Sequence, residues 1–259
     1  MIHLFALLSL LLCGVCYTGF QNSSHFHNTS NRRSLLLLVF GGALLLRLLL
    51  AYTTHGFSND IACFAAWADR IFTLGPGQFY SAEMFTDYPP GFMYVLYLIG
   101  ALRSLLQIPY YSDLHILLLK LPAILCDIAC GFLLYREAVK RLHFSDLQGI
   151  FAASAYLFQP AVILNSSCWG QVDSVYTLMI ILMCLFLMKG NLLPAYAVYG
   201  LGVLLKPQML IFTPVLLAGI WDHVFLQDFS WRKFFYNLCG GLVVICGMLL
   251  LCAPFGLTA

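Results

Sequence analysis

The chain is a succession of apolar runs separated by short polar segments. Several runs reach about 18 to 22 residues, the length at which an α-helix crosses the hydrocarbon core of a membrane. Hydrocarbon offers backbone polar groups no partner, so such runs should be helical. The pattern predicts spans over residues 1–20, 34–52, 114–135, 147–164, 175–188, 192–205, 209–220 and 234–252.

Residues 53–113 follow a different pattern, which predicts a large loop on one side of the membrane. Residues 60–70 alternate apolar and polar positions at helical spacing, as is typical of a helix lying at the membrane interface. The run 91–108 is apolar but is interrupted by Arg103. We interpret this run as an interfacial or re-entrant helix, because a span there would reverse the side on which the basic 136–141 segment lies.

The positions of the basic residues predict the orientation. Lys and Arg are enriched in cytoplasmic segments, which places Arg32 and Arg33 in the cytoplasm and residues 53–113 outside. Eight of the 13 Lys and Arg residues are then predicted to be cytoplasmic: Arg32, Arg33, Arg136, Lys140, Arg141, Lys189, Arg232 and Lys233.

Composition agrees with this interpretation. The chain is 61% hydrophobic and 9% charged, with a mean hydropathy of +0.88, which excludes an ordinary soluble domain. A net charge of +2 gives no basic face for nucleic acid. We predict an all-α, multi-pass transmembrane helix bundle: an apolar span and polar linker over 1–33, and a transmembrane domain over 34–259 with its outer loop at about 53–113. Because the sequence ends directly after an apolar run, we expect this domain to be truncated at its C-terminus.

Four ionisable residues, Asp60, Asp87, Asp173 and Lys206, lie at the ends of apolar runs that the predicted topology opens onto the outer face. Charges at membrane depth are costly and usually functional. Each also has a simpler explanation: Asp60 and Asp173 as helix caps, Asp87 as part of a proline-rich turn, and Lys206 as a side chain extending to the interface.

Taken together, these segments supply a carboxylate base, a cation, amides and aromatic rings. A sugar transfer from a lipid-phosphate donor requires such a set, because a base must deprotonate the acceptor hydroxyl and a cation must hold the departing phosphate.

The motifs resemble those of the GT-C glycosyltransferases, and most closely the bacterial and archaeal proteins related to the GPI mannosyltransferase 2 family. The resemblance covers roughly residues 47–214. It is carried by the following segments: Asn59-Asp60 with Phe64 and Trp67, Gly77-x-Phe79-Tyr80, Asp87-Tyr88-Pro89-Pro90-Gly91-Phe92, Leu119-Lys120-Leu121-Pro122 with Asp127, Trp169-Gly170-Gln171-x-Asp173, and Lys206-Pro207-Gln208.

This resemblance implies a GT-C-like fold and an inverting glycosyltransferase with an extracytoplasmic active site. The donor would be a sugar, commonly mannose, on a polyprenyl monophosphate; the acceptor would be a glycan, lipid or protein. The family's catalytic acidic residue falls on Asp60. Many relatives have an adjacent acidic pair there, whereas this chain has Asn59-Asp60, so no cofactor is implied, a divalent cation is not expected and no metal site is predicted.

We predict that Lys206 binds the donor phosphate, with Arg47 and Arg103 as alternates. The sugar and acceptor pocket is predicted to comprise Asp87, Tyr88, Trp169, Gln171, Asp173 and Gln208. Asp87 and Tyr88 are expected to position the outer loop. Lys120 and Asp127 are seven residues apart and share one helix face, where they serve either to compensate each other's charge or to take part in catalysis.

Two other classes of function stay open at this point. One is a transporter or flippase, in which buried charges line a translocation path. The other is a non-catalytic subunit of a glycosyltransferase complex. The collection of polar residues at one predicted face, without a clear inverted repeat, favours the enzyme.

Overall fold

The computed structural model describes residues 32–81, 84–227 and 229–256, together with Leu11, Gly14 and residues 17–19. Most of the predicted span 1–20 and the polar linker after it lie outside the described residues. All regular elements in the described ranges are helical, which confirms the all-α class.

Ten α-helices are described, with short 3₁₀ or π-helical segments between some of them. The α-helices are α1 (Arg32–Thr53), α2 (Ser58–Leu74), α3 (Pro90–Leu105), α4 (Asp113–Lys140), α5 (Asp146–Leu157), α6 (Pro160–Ile163), α7 (Asp173–Met188), α8 (Leu192–Leu205), α9 (Thr213–Trp221) and α10 (Trp231–Cys252). Helix α6 continues as a π-helical segment over Leu164–Trp169, and a 3₁₀ segment over Pro207–Phe212 precedes α9.

Four helical stretches of the described chain are long and apolar enough to cross a membrane: Arg32–Thr53, Asp113–Lys140, Pro207–Leu226 and Trp231–Phe255. A fifth candidate is formed by Asp146–Leu157 and Pro160–Trp169, which are bent by 51° relative to each other. The bend lies at Pro160, because proline cannot donate the backbone hydrogen bond that would continue the helix. These stretches indicate a multi-pass integral membrane protein.

Two of the predicted spans, 175–188 and 192–205, are not among the helices long enough to cross a membrane. Helices α7 and α8 contain 16 and 14 residues, fewer than the roughly 20 that cross a membrane without thinning it. Helix α3, for which we predicted an interfacial or re-entrant position, contains 16 residues. The side of the membrane on which each loop lies stays a prediction.

The chain divides into two compact units. The first unit comprises Met1–Ala62 and Tyr111–Ser174, and the second comprises Cys63–Tyr110 and Val175–Ala259.

In the first unit, α1, α4 and α5 pack against one another through small residues. A Cβ atom on Gly131 of α4 would lie 2.6 Å from the side chain of Leu157 on α5, so glycine is needed for this close approach. Close backbone contact of this kind is what associates helices where lipid gives no hydrophobic driving force. The surrounding core consists of Ala43, Tyr135, Ile150, Ala153 and Leu157.

In the second unit, α8 packs against both α3 and α10. A Cβ on Gly91 would lie 2.5 Å from the backbone oxygen of Leu204, so α3 begins in close contact with the end of α8. Four aromatic rings form a cluster next to this contact, with neighbouring centroids 5.4–5.7 Å apart: Phe64, Trp67, Tyr88 and Phe92. Offset and edge-to-face contacts of this kind stabilise aromatic cores.

Candidate functional site

The predicted site residues fall into two groups, one in each unit. The first unit contains Arg47, Asp60, Trp169, Gln171 and Asp173, and the second contains Asp87, Tyr88, Arg103, Lys206 and Gln208.

Asp60 lies in the first turn of α2 and is partly exposed. Its Oδ2 accepts a hydrogen bond from the side-chain amide of Gln171 and another, at 3.3 Å, from the indole N–H of Trp169. The donors follow Asp60 by more than 100 residues in sequence. The structure therefore brings together the predicted catalytic carboxylate and two predicted sugar-pocket residues.

The backbone around Gly56 and Gly170 holds Trp169 in this position. The backbone N–H of Phe57 donates to the Trp169 carbonyl at 2.9 Å, and the two rings lie 5.5 Å apart. Gly56 and Gly170 both adopt positive φ angles, 79° and 89°. A Cβ would lie 2.6 Å from the Trp169 carbonyl at Gly56 and 2.6 Å from the side chain of Ile61 at Gly170, so glycine fits both positions by conformation and by space.

The indole of Trp169 is half exposed and borders an open cavity of about 310 Å³. The other lining residues are Gly56, Phe57, Leu164 and Cys168. This volume is at the lower end of the range for small-molecule sites. A half-exposed aromatic face beside a carboxylate can stack on a sugar ring while the carboxylate accepts a proton.

Asp173 begins α7 and accepts a hydrogen bond from the side-chain amide of Asn165 at 3.0 Å. Asn165 precedes Trp169 and Gln171 in sequence and Asp173 follows them, so this contact joins the two ends of the segment that carries these residues. Its predicted pocket role stays a prediction, and the contact gives it a positioning role.

Asp127 is fully buried on α4 and binds residues on both sides of the same segment. Its carboxylate accepts hydrogen bonds from Ser166 at 2.6 Å, Tyr156 at 3.2 Å and the hydroxyl of Ser174, and it forms an ion pair with Arg47 at 3.2 Å. Ser166 and Ser174 flank the Trp169–Gln171 segment on its two sides. A buried charge with this many donors is well satisfied, so the network fixes both ends of the segment.

Arg47 is fully buried and also donates to the backbone oxygen of Ala43 at 3.3 Å. The side chain of Arg47 has no exposed surface and is paired with Asp127, so a donor phosphate has no access to it in this structure. The geometry therefore favours a structural role for Arg47.

Lys120 is the second buried cation of the first unit. Its ammonium donates to the backbone oxygens of Ala51 at 3.2 Å and Thr54 at 2.6 Å, and to the Thr54 hydroxyl at 3.1 Å. These oxygens belong to the C-terminal end of α1 and the residue after it, where a positive charge is favourable. Lys120 and Asp127 therefore share a helix face but have different partners, and mutual charge compensation does not explain either.

In the second unit, Lys206 is buried next to two aromatic side chains. It leaves α8 in an extended conformation, because Pro207 prevents helix continuation. Its ammonium lies 5.7 Å from the ring centroid of Tyr88 and 5.6 Å from that of Tyr176. These are cation–π distances. Gln208, two residues further on, is exposed.

Tyr88 and the exposed Asp87 lie in the turn before α3. The hydroxyl of Tyr80 donates to the backbone oxygen of Tyr88 at 2.9 Å. Burial, and to a smaller extent the nearby Cys252, raises the pKa of the Tyr80 phenol, so it stays a neutral donor at physiological pH. This bond fixes the turn, in keeping with the positioning role expected of Asp87 and Tyr88.

Arg103, the other alternate ligand for the donor phosphate, forms an ion pair with Asp69 and lies 5.6 Å from the centroid of the Tyr110 ring. Its charge is therefore compensated within the second unit. The ion pair with Asp69 makes Arg103 a weak candidate for an anionic ligand.

The described residues contain no group of three or more His, Cys, Asp and Glu side chains placed to hold a metal ion. Three contributors to the Asp127 network were not identified from the sequence: Tyr156, Ser166 and Ser174. Their signal is weak, because single hydroxyl residues are common in apolar runs. The polar string Asn165-Ser166-Ser167 at the end of such a run could have indicated Ser166.

No model of a known protein family matches this chain, and no curated protein is significantly similar to it. The GT-C relationship therefore stays a prediction that depends on short motifs and on the geometry around Asp60.

Proposed function

We propose that the protein is an inverting glycosyltransferase that moves a sugar, with mannose the first candidate, from a polyprenyl-phosphate donor to an acceptor hydroxyl. The observation that carries this proposal is the contact of Asp60 with Gln171 and Trp169 beside an open cavity. This contact places a partly exposed carboxylate beside an exposed aromatic ring and an amide. The ring and the amide suit the binding of a sugar, and the carboxylate suits the deprotonation of a hydroxyl.

In the proposed reaction, Asp60 accepts the proton of the acceptor hydroxyl as its oxygen forms a bond to the anomeric carbon. The bond from that carbon to the phosphate oxygen breaks, and the polyprenyl phosphate leaves with the electron pair from the opposite face. The configuration inverts in this single displacement. Gln171 and Trp169 keep the carboxylate oriented by donating to one of its oxygens, which leaves the other free to accept the proton.

We assign the donor phosphate to Lys206. A cation removed from water gains more from an anionic partner than an exposed cation does. Its ammonium lies over the rings of Tyr88 and Tyr176, which stabilise a cation by cation–π contact.

The test is a transfer assay with the purified chain in phosphatidylcholine vesicles. Polyprenyl-phosphate sugars are supplied in a panel with candidate acceptors, and released polyprenyl phosphate and glycosylated product are both quantified. We expect release and product in equal amounts. Asp60→Asn should lower the rate by roughly 10²–10⁴-fold, the contribution of a positioned base. Asp113→Asn, the same change at a half-exposed carboxylate of the first unit, is the matched control.

Turnover by Asp60→Asn at the wild-type rate would refute the assignment of the base. A transporter or flippase would move the lipid-linked sugar across the vesicle membrane without releasing polyprenyl phosphate. A non-catalytic subunit would produce neither release nor transport until its complex was supplied.

A further inference from the structure

The second unit contains two cavities that the proposed reaction does not use. One, of about 500 Å³, is polar and is lined by Arg232, Lys233, His223 and Asn191 among others. The other, of about 400 Å³, is almost entirely apolar and lies between α8, α9, its π-helical continuation and α10. Asn237 lines both, so the two are neighbours along α10.

The polar cavity is built at the N-terminal ends of α8 and α10. Arg232 and Lys233 are exposed in the first turn of α10, and neither helix has an acidic residue in its first turn. The imidazole of His223 lies against Gly190, where a Cβ would be 2.5 Å from the ring. Helix N-termini carry partial positive charge. Basic side chains at such ends favour an anion, and a phosphate above all.

Asn237 marks the border between the two cavities. Its side-chain oxygen accepts a hydrogen bond from the Tyr196 hydroxyl at 3.3 Å, and its amide donates to the backbone oxygen of Lys233 at 2.9 Å. Below this border the lining of the apolar cavity on α10 continues through Leu242 and Ile245 to Met248. The change from charged to apolar lining therefore takes place within one helical turn.

The length of the apolar cavity fits one leaflet of a membrane. Asn237 and Met248 are 11 residues apart on α10, which is about 16 Å at 1.5 Å per residue. Half of the hydrocarbon core is about 15 Å thick. Helix α10 has no fully buried residue among its 22 and lies within a candidate membrane span, so the apolar side chains on the face turned away from α8 are open to hydrocarbon.

We infer that these two cavities together bind one membrane phospholipid with an anionic headgroup. Its phosphate lies near Arg232 and Lys233, and an acyl chain lies in the groove between α8 and α10. Basic pockets at the interfacial ends of transmembrane helices recognise anionic headgroups. A second protein helix could cover the apolar groove, but a basic pocket that adjoins an apolar groove favours an occupant with both an anionic group and an apolar chain. This inference involves none of the residues assigned to sugar transfer.

The test uses phosphatidylcholine vesicles containing the purified full chain and a trace of phosphatidylglycerol with a photoreactive group in its acyl chain. Crosslinked peptides are located by mass spectrometry. We expect crosslinks concentrated on α8 and α10 and suppressed by excess unlabelled phosphatidylglycerol. A phosphatidylcholine probe with the same photoreactive chain should label these helices at least about threefold less.

Two kinds of variant test the two cavities separately. A Cβ on Gly241, which lines the apolar groove, would meet no atom within 4 Å, so Gly241→Leu places a side chain in the groove with little strain on the fold. Gly247→Leu on the same helix is the control, because a Cβ there also meets no atom but Gly247 does not line the groove. For the headgroup, Arg232→Gln with Lys233→Gln is compared with Arg136→Gln with Lys140→Gln, which removes two exposed charges from α4.

We expect Gly241→Leu and the Arg232, Lys233 double variant each to lower the phosphatidylglycerol crosslinks at least about threefold, with both controls unchanged. Circular dichroism establishes that helix content is retained. Equal labelling by the anionic and zwitterionic probes in the wild type would overturn the proposal without any variant. Crosslinks between two copies of the chain at α10, in place of lipid crosslinks, would overturn it in favour of a dimer interface.

Discussion

The two units bury different kinds of side chain. In the first unit, Arg47, Lys120 and Asp127 have no exposed surface and are held by hydrogen bonds and an ion pair. In the second unit, the buried charge in the described residues is Lys206, and its neighbours there are aromatic rings. The first unit is therefore organised by directional polar contacts, and the second by the shape of apolar and aromatic surfaces.

The two units should therefore respond differently to substitutions of their buried residues. Directional contacts fix the position of a backbone segment, which suits the segment that presents Trp169 and Gln171 to Asp60. Shape-based packing leaves grooves between helices, which suits the binding of an acyl chain.

Removal of Asp127 should have the largest effect on stability. Asp127→Ala leaves Arg47 as an uncompensated buried charge, and we expect the free energy of unfolding to fall by about 3–5 kcal/mol. The measurement is SDS-induced unfolding in mixed micelles. The double variant Arg47→Met, Asp127→Asn should recover at least half of the loss, because it removes the orphaned charge and keeps an acceptor for Ser166. No recovery would contradict the assignment of this pair.

Replacement of Lys206 should affect the donor more than the fold. For Lys206→Met we expect a loss of no more than about 2 kcal/mol in the free energy of unfolding, the range of a desolvated cation–π contact. If the proposed function holds, the KM for the polyprenyl-phosphate donor should rise by roughly tenfold or more, since a charged hydrogen bond contributes about 1.5–3 kcal/mol. Lys189→Met is the exposed control. A larger change in the acceptor KM than in the donor KM would count against Lys206.

Lys120→Met should destabilise the first unit by less than Asp127→Ala does. The substitution keeps the length of the side chain but leaves the carbonyl oxygens of Ala51 and Thr54 without their donor, at a cost of about 1–3 kcal/mol. The same SDS-induced unfolding measures it. A Lys120→Met variant as stable as the wild type would show that the end of α1 is held by other contacts.

The smallest effect is expected at the exposed Arg32, which lies 3.2 Å from Asp146. Its side chain is about half exposed, and exposed ion pairs contribute about 0–1 kcal/mol. Arg32→Gln should therefore change the free energy of unfolding by less than about 1 kcal/mol, and added salt should reduce this difference further. A loss similar to that of Asp127→Ala would remove the distinction between buried and exposed pairs.

The sequence determined the class of the protein, because length and apolarity of the runs decide which segments form membrane helices. The stretches at 34–52, 114–135 and 234–252 correspond to helices long enough to span, and the run at 147–164 corresponds to a helix pair broken at Pro160. Motif order also predicted that Asp60, Trp169 and Gln171 belong to one site, and the structure brings these three side chains into contact.

The partners of the buried charges could be identified only from the three-dimensional packing. Helical spacing placed Lys120 and Asp127 on one face, yet each is satisfied by a different segment: Lys120 by the end of α1, and Asp127 by Arg47 and hydroxyl groups far away in sequence. A partner is chosen by distance and direction in three dimensions, which periodicity along one helix does not contain. The lipid groove beside α10 has the same origin, because a cavity is a property of the packing between helices and not of any single apolar run.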